Sequence, residues 1–445
     1  MLITNGILVT HDREQRILSG QALRVHGGRI SHIGRQSELI GRFPDEEQLD
    51  ARGQLVMPGA ICAHTHFYGA YARGMAIPGP APKDFPEILA RLWWPLDKAL
   101  DADAVRLSAL VCLVDAVKHG TTALIDHHAS PNAIEGSLDW IADAVDAAGL
   151  RAVLCYEVTD RDGQAKAEAG IAENVRFLAA QRPRVRGTFG LHASLTLSDA
   201  PLRACADAHP GGGFHIHVAE HEADEADSLA KSGLRVVPRL HEYGILGPKT
   251  ITAHCVHADE AELALLEQTG TWISHQPRSN MNNAVGAMAF DALMARGMKV
   301  AIGNDGFSNA MWQEWKAAYF LHKVVNRDPS RANGADVFKA ATANNAALLE
   351  TFFPGEQFGV LAAGARADLI FADYQPFTPL TGGNLPWHVI FGFEPSMVTT
   401  TIVDGQVLMR DRQLLTLDEA AIMAEALAHA PAVWERYNGF VAQVL

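Results

Sequence analysis

Leu55-Val56-Met57-Pro58-Gly59-Ala60-Ile61-Cys62-Ala63-His64-Thr65-His66 is a short apolar segment that runs out into two histidines spaced i, i+2. In an extended chain that spacing places both imidazoles on one face, because side chains alternate with period two. Two imidazoles converging at the end of a buried strand make half of a metal site. With 20 His among 445 residues, composition alone supplies roughly one such pair per chain. The meaning of the pair therefore rests on the rest of the sequence.

Outward from this stretch the chain changes character twice. Residues 1–57 read as short strand-like runs, Leu2 to Val9, Gln21 to Val25, Arg29 to Ile33 and Gln54 to Met57, with turn chemistry at Asn5-Gly6 and Gly27-Gly28. Residues 58–354 alternate apolar runs with helical segments. The runs are Val56 to Cys62, Thr121 to Ile125, Ala152 to Tyr156, Val185 to Leu191, Phe214 to Val218, Thr250 to Ala253, Thr271 to Ser274 and Val300 to Gly303. Helical segments include Asp103 to Lys118, Leu138 to Ala148, Ile171 to Ala180, Glu260 to Gln268 and Met311 to Val325. Eight β-then-α units predict an α/β fold, a (β/α)8 TIM barrel with parallel strands. Residues 355–415 return to β character, with the run Ala367 to Ala372 and a hairpin signal, Asp404-Gly405, between Thr400 to Val403 and Val407 to Met409. The two flanking β segments are either separate modules or one small discontinuous β-sandwich domain formed from both termini. Their similar size and strand content favour the sandwich. Residues 416–445 carry a closing helix, Asp418 to Arg436.

Apolar residues at 48% and charged residues at 20% describe a globular chain with a large core. A net charge of −14 and the lack of a Lys/Arg cluster argue against a nucleic-acid surface. Cys62, Cys112, Cys155, Cys205 and Cys255 are odd in number and never spaced C-x-x-C. That spacing offers neither a disulfide framework nor a thiolate zinc site, and it fits a reducing compartment. No basic-then-apolar leader opens the chain and no run is long enough to span a bilayer. A cytoplasmic protein without membrane contact is the expectation.

Barrel enzymes place their sites at the C-terminal ends of the strands. The first predicted strand delivers His64 and His66, the second Asp126-His127-His128, the third Glu157 and the fourth His192. The fifth ends in His215-Ile216-His217-Val218-Ala219-Glu220, the sixth in His254-Cys255-Val256-His257, the seventh in His275 and the eighth in Gly303-Asn304-Asp305. Any one of these histidines can be a satisfied structural group, but composition does not explain the set. Three imidazoles and a carboxylate leave a divalent ion with an open position for water. His64, His66 and His217 are the predicted histidine ligands and Asp305 the carboxylate. His217 is preferred because Glu220 follows it by three residues, where the strand passes into a loop; His215, on the same strand face, stays open as the alternative. Glu220 is either a proton shuttle or a solvated charge heading the acidic run Glu222, Asp224, Glu225 and Asp227.

These words, together with Ser274-His275-Gln276-Pro277-Arg278-Ser279-Asn280, Ile302-Gly303-Asn304-Asp305-Gly306, Ala365-Arg366-Ala367-Asp368-Leu369-Ile370 and Ile402-Val403-Asp404-Gly405, resemble the amidohydrolase superfamily. The likeness covers nearly the whole chain and falls in the cytosine-deaminase-like and triazine-hydrolase-like branch. Phe67-Tyr68-Gly69-Ala70-Tyr71-Ala72-Arg73-Gly74, Asp126-His127-His128-Ala129-Ser130-Pro131 and Asn280-Met281-Asn282-Asn283-Ala284-Val285-Gly286 are most similar to the SsnA group of aminohydrolases.

The resemblance implies one divalent metal per chain, Zn2+ or alternatively Fe2+, and hydrolytic removal of an amino or halide substituent from a small purine- or pyrimidine-like heterocycle by a metal-bound hydroxide. Deamination is the preferred reading. A hydrolytic chlorohydrolase acting on a triazine-like ring is one alternative, and a catalytically silent metal- or metabolite-binding partner protein is another. The resemblance puts metal ligation on His64, His66, His217 and Asp305, and acid/base work on Glu220. His254 is set beside the hydroxide, where it can orient it and stabilise developing charge, and Asp305 can take the proton that water loses. Two-metal branches bridge their ions with a modified lysine after the fourth strand; this chain has His192 there, in Leu191-His192-Ala193-Ser194-Leu195-Thr196. That segment also departs from the branch's Pro-His-Ala-Pro word, which puts substrate contact by His192 in question. Trp93 of the Trp93-Trp94 pair can stack on a planar ring or join the core. Arg73 can meet a carbonyl or cap a helix, His127 and His128 can reach the pocket or settle against backbone, and Arg278 and Asn280 stand near enough to reach ligand. The expected partners are a small-molecule substrate and further copies of the chain, as a dimer or higher homo-oligomer, with no nucleic acid.

Overall fold

A computed structural model describes residues 1–180 and 182–444. The stretch Leu55 to His66 is two strands rather than one. Leu55–Pro58 pairs with Leu369–Ala372 and Ile7–Val9 in a seven-stranded sheet, whereas Ala60–Thr65 pairs with Thr121–His128 in a different, parallel sheet. The change of sheet happens at Gly59, where a Cβ would fall 2.2 Å from Thr122 Cγ2. Only glycine allows so close an approach. The expected run Leu2 to Val9 is also broken, into Leu2–Thr4 and Ile7–Val9. Asn5 takes φ 54 there, a left-handed conformation that asparagine tolerates.

The remaining strands sort by pairing sense. Arg29–Arg35, Gln21–His26, Leu2–Thr4 and Gln48–Asp50 form a four-stranded sheet. The seven-stranded sheet sets three strands of the first 58 residues beside Leu369–Ala372, Val398–Val403, Gln406–Arg410 and Gln413–Leu414, the two sets meeting where Leu55–Pro58 pairs with Leu369–Ala372. The other two sheets are wholly parallel. Val185–Gly187, Arg151–Tyr156, Thr121–His128 and Ala60–Thr65 make one; Phe189–Ala193, Phe214–Val218, Ile251–His254, Trp272–His275 and Val300–Ile302 make the other. Parallel bridges Thr65↔Asp305 and Val158↔Leu191 link the edges of these two sheets. The strands Thr121–His128, Arg151–Tyr156 and Phe214–Val218 are buried at every position, as parallel strands covered on both faces must be.

Helices alternate with these strands and begin and end where the sequence supplies caps. Asp101 accepts from Ala104 N ahead of Ala102–Lys118, and Asp259 and Glu262 make a reciprocal capping box for Glu260–Thr269. Gly149, Gly233 and Gly270 close their helices at φ 81, 74 and 67, the left-handed stop that glycine takes without steric cost. Helical segments at Phe85–Ala99 and Leu385–Gly392, absent from the sequence reading, interrupt what read as loop and as β segment. Proline at an early helical position in Phe85–Ile88, Trp94–Ala99 and Leu385–Gly392 is their local start signal.

One buried ion pair ties the parallel strands to the seven-stranded sheet. Arg151, 1% exposed, donates from Nε to Asp368 Oδ2 at 3.2 Å and from Nη2 to Asp404 Oδ1 at 2.8 Å. Its guanidinium lies 4.8 Å from the Phe358 ring and 5.2 Å from the Phe353 ring. No helix among the described residues is long and apolar enough to cross a membrane.

Candidate metal centre and active site

The C-terminal ends of the parallel strands converge on a cluster of imidazoles and carboxylates. His64, His217, His254 and Asp305 each present one ligand-type atom within 4.8 Å of the others, and His64, His66, His127 and His217 do the same. His66 Nε2 lies 2.9 Å and His64 Nε2 3.3 Å from Asp305 Oδ1. Backbone carbonyls fix the tautomers on one side. His66 Nδ1 donates to His127 O at 2.6 Å, and His217 Nδ1 donates to His192 O at 2.8 Å. A carbonyl can only accept, so each Nδ1 carries its hydrogen, and the two Nε2 atoms face each other at 3.1 Å. A shared cation would satisfy both; without one, burial opposes charge on His66 but the Asp305 carboxylate beside it raises its pKa to about 9, so this ring carries the proton. The Nε2 atoms of His64 and His254 are likewise buried without a hydrogen-bond partner. Imidazole nitrogens and one carboxylate oxygen grouped this closely, each imidazole steadied from behind, fit the donor set that a divalent metal ion takes.

His215 stands behind this cluster. Its Nε2 is 2.8 Å from His64 Nδ1, on the side of the His64 ring away from Asp305. Asn280 Oδ1 accepts from His254 Nδ1 at 2.8 Å, which turns His254 Nε2 toward Glu220 Oε2 at 3.4 Å. Ser279 Oγ donates to Asp305 Oδ2 at 2.5 Å and Asn283 Nδ2 donates to Glu220 Oε1 at 3.3 Å. Asp224 accepts the backbone N–H groups of Ala219 and Leu195, both at 2.9 Å, and so pins the segment carrying Glu220. Ala219, His254 and Asp305 have φ of 46, 72 and 56. Left-handed non-glycine residues of this kind cluster at sites that the surrounding structure over-determines.

Burial and charge set the protonation of the cluster without an ion. Burial pushes the Glu220 carboxyl well above the usual carboxylate range, with the Asp305 charge adding to it and the Asn283 bond opposing. Burial works against charge on Asp305 too, but the His64 and His66 imidazoles hold it well below the usual range. Two neighbouring carboxyls are thus driven apart, one toward the acid and one toward the base.

A pocket of about 660 Å3, its mouth included, opens onto Asp305, His66, His217 and Glu220. Trp93, Trp94, Tyr68, Phe85 and Leu89 supply aromatic and apolar wall, and His192, Asp97, Arg161 and Asn283 supply polar groups. Trp93 and His192, both left open by the sequence, are part of this lining. Four other predicted contacts stand apart from this lining. Arg73 faces a cleft under the C-terminal helix with Met423, Leu427 and Trp434. Arg278 is tied to Glu314 and donates to Ser308 O at 2.7 Å. His127 is fully buried with Nε2 on His215 O at 3.0 Å, and Asn280 serves His254. His128 bonds Ser130 Oγ at 2.9 Å, and His275 Nε2 meets His322 Nε2 at 3.0 Å. The sequence reading missed Asp97, Arg161, Ser279, Asn283 and Asp224 as site residues. Only the i, i+4 spacing of Ser279 and Asn283 on one helical turn could have drawn attention to them.

Residues 55–408 match the Amidohydrolase family. The chain belongs to that family. It is 30% identical over 450 residues to a 5'-deoxyadenosine deaminase of Methanosarcina mazei, covering 98% of this chain and 99% of that one. It is 33% identical over 407 residues to a 5-methylthioadenosine/S-adenosylhomocysteine deaminase of Haloarcula marismortui, covering 89% and 90%. Among solved structures, a zinc-bound adenosine deaminase of Xanthomonas campestris superposes with a TM-score of 0.84 at 24% identity, covering 98% of each chain. The parallel-stranded α/β architecture is accordingly that of an amidohydrolase.

Proposed function

We propose that this amidohydrolase is a mononuclear metal-dependent aminohydrolase that replaces an amino group on a small purine- or pyrimidine-like heterocycle. The observation that carries the reading is the convergence of His64, His66, His217 and Asp305 on one point, with Glu220 and His254 beside it in a pocket walled by aromatic rings. The deaminase names of both relatives favour ammonia over halide as the leaving group. We assign the eight parallel strand positions to a closed (β/α)8 barrel, supported by the bridges at its two sheet edges. The terminal β segments, 1–57 and 355–415, are assigned to one discontinuous sandwich, supported by their shared seven-stranded sheet.

His64, His66, His217 and Asp305 would hold Zn2+, which when bound supplies a Lewis acid that brings the pKa of a water to about 7. Asp305, kept ionised by the His64 and His66 imidazoles against its burial, is the carboxylate placed to take up the proton that the water would lose. Glu220, kept protonated by burial, donates to a ring nitrogen and makes the ring carbon electrophilic. The ionised Glu220 then takes the hydroxyl proton of the attached oxygen, passes it to the departing amine, and is reprotonated with the proton Asp305 took from the water. His254, oriented by Asn280, hydrogen-bonds the attacking oxygen and the charge that develops on it. Trp93 and Tyr68 fix the plane of the ring.

The test is ammonia release by zinc-reconstituted protein from a panel of aminopurines, aminopyrimidines and pterins, with metal content measured in parallel. Turnover that disappears with chelator and returns with zinc is expected. A fully metallated protein that releases ammonia from no member of the panel would overturn the reading.

A further inference from the structure

The pocket wall carries a polar pair that the mechanism leaves unused. Asp97, 2% exposed, ends a helical turn of the first-strand loop, and Arg161 comes from the loop after the third strand. Arg161 Nη2 donates to Asp97 Oδ2 and Arg161 Nε donates to Asp162 Oδ2 at 3.3 Å. The guanidinium lies 5.3 Å from the Trp94 ring. Two atoms of the pair stay free among the described residues. Asp97 Oδ1 is buried with no hydrogen-bond partner, and Arg161 Nη1 makes no bond. Both residues line the pocket.

A buried carboxylate oxygen without a partner carries an uncompensated desolvation cost, so a ligand that donates to it gains what the free protein forgoes. The charge pattern says which ligand. Arg161 is paired with Asp97 and Asp162, and Lys98 with Asp162 at 2.7 Å, so the two cations are matched by two carboxylates. A phosphate or carboxylate finds no unmatched cation there, so the occupant is neutral. One acceptor oxygen beside one donor N–H does not suit a vicinal diol, which needs both carboxylate oxygens. It does suit a ring edge with an N–H beside a carbonyl.

We propose that Asp97 and Arg161 read the lactam edge of an amino-substituted oxo-heterocycle, Asp97 Oδ1 accepting the ring N–H and Arg161 Nη1 donating to the carbonyl. The substrate class is then guanine-, isocytosine- or pterin-like rather than adenine-like. This rests on the aminohydrolase reading above, and the test separates the two.

Guanine and 2-aminopurine differ only in the lactam, so zinc-loaded enzyme is compared on the pair, with 5'-deoxyadenosine alongside. A site built to pair polar groups rejects an analogue that lacks them by large factors. At least ~10²-fold preference for guanine in kcat/KM is expected, collapsing below about tenfold in Asp97→Asn and in Arg161→Gln. Binding of xanthine, a lactam without the reacting amine, is measured by calorimetry on the same proteins, with zinc content and melting temperature as controls for folding. Faster ammonia release from 2-aminopurine or 5'-deoxyadenosine than from guanine overturns the lactam reading and leaves the aminohydrolase standing. No ammonia from any of these compounds or from the aminopyrimidine and pterin panel above, with xanthine bound by the wild type and lost in both variants, supports the subsite and overturns the aminohydrolase. Equal xanthine affinity in wild type and variants overturns the subsite whatever the turnover.

Discussion

Glu220 and His217 are three residues apart and should fail differently when changed. Glu220 is poised as an acid by burial and by Asp305, yet none of its contacts is to the ligand-type nitrogens of His64, His66 or His217. Glu220→Gln keeps the shape and the Asn283 neighbour but has no proton to give. Metal near one per chain with activity lowered by about 10²–10⁴-fold is the expected outcome, read by metal analysis and ammonia release. His217→Ala removes one of the two facing Nε2 atoms, so metal content itself should fall; unchanged content would shift the third imidazole to His215. Legibility at this scale followed residue type. Histidines at strand ends stood out because few other roles ask for them there. Arg73 and Arg278 did not resolve from sequence, since nothing in a loop sequence says which way a long cation turns. One turned to a cleft under the last helix and the other to Glu314.

Among the elements, the segment from Val218 to Glu222 shows how a loop is made rigid enough for chemistry. Ala219 sits at φ 46 and its N–H is held by Asp224, which also takes the Leu195 N–H. Both bonds are made by a carboxylate in the first turn of the following helix, where acidic residues are favoured by the helix dipole. Asp224→Ala leaves two N–H groups without acceptors and lets Ala219 relax. A loss of about 1–3 kcal/mol per unpaired group is expected in denaturant melts, together with weaker activity at unchanged metal content. Wild-type-like activity would show that Glu220 is positioned by other means. The sequence showed the acidic run but could not tell its buried members, Asp224 and Glu225, from Glu222 and Asp227, because all four share one composition. The helical turns at 85–99 escaped for a related reason: the two prolines within that stretch, Pro86 and Pro95, and Pro82 just before it, read as loop punctuation.

For the molecule as a whole, the alternation of strand and helix was legible because buried parallel strands are near-continuous apolar runs and helices carry caps. The pairing of the two chain ends was only an inference from similar composition; it takes long-range register to see Met57 opposite Ile370. Arg151 is the polar fastening at that junction. Replacing it with leucine strands Asp368, which is 6% exposed, as a buried carboxylate without its cation. Such a loss costs about 3–5 kcal/mol, and Arg151→Leu should lower the unfolding midpoint accordingly while leaving the substrate preference of the folded enzyme intact. Recovery in the double variant Arg151→Leu, Asp368→Leu would confirm that the cost is the orphaned charge; an unaltered midpoint in the single variant would refute it.

The passage at Gly59 also sets an order of events during synthesis. The strand bearing His64 begins one residue after a strand whose partner, Leu369–Ala372, emerges from the ribosome only in the last fifth of the chain. Asp305 too is made long after the two histidines it faces. A nascent chain can therefore display its first two imidazoles for most of its translation while the strand at their base is paired on one side only, to Ile7–Val9. Tight ion capture belongs to the finished polypeptide, and a prematurely ended one is left with soft, loosely held nitrogens that any cellular chelator can outcompete.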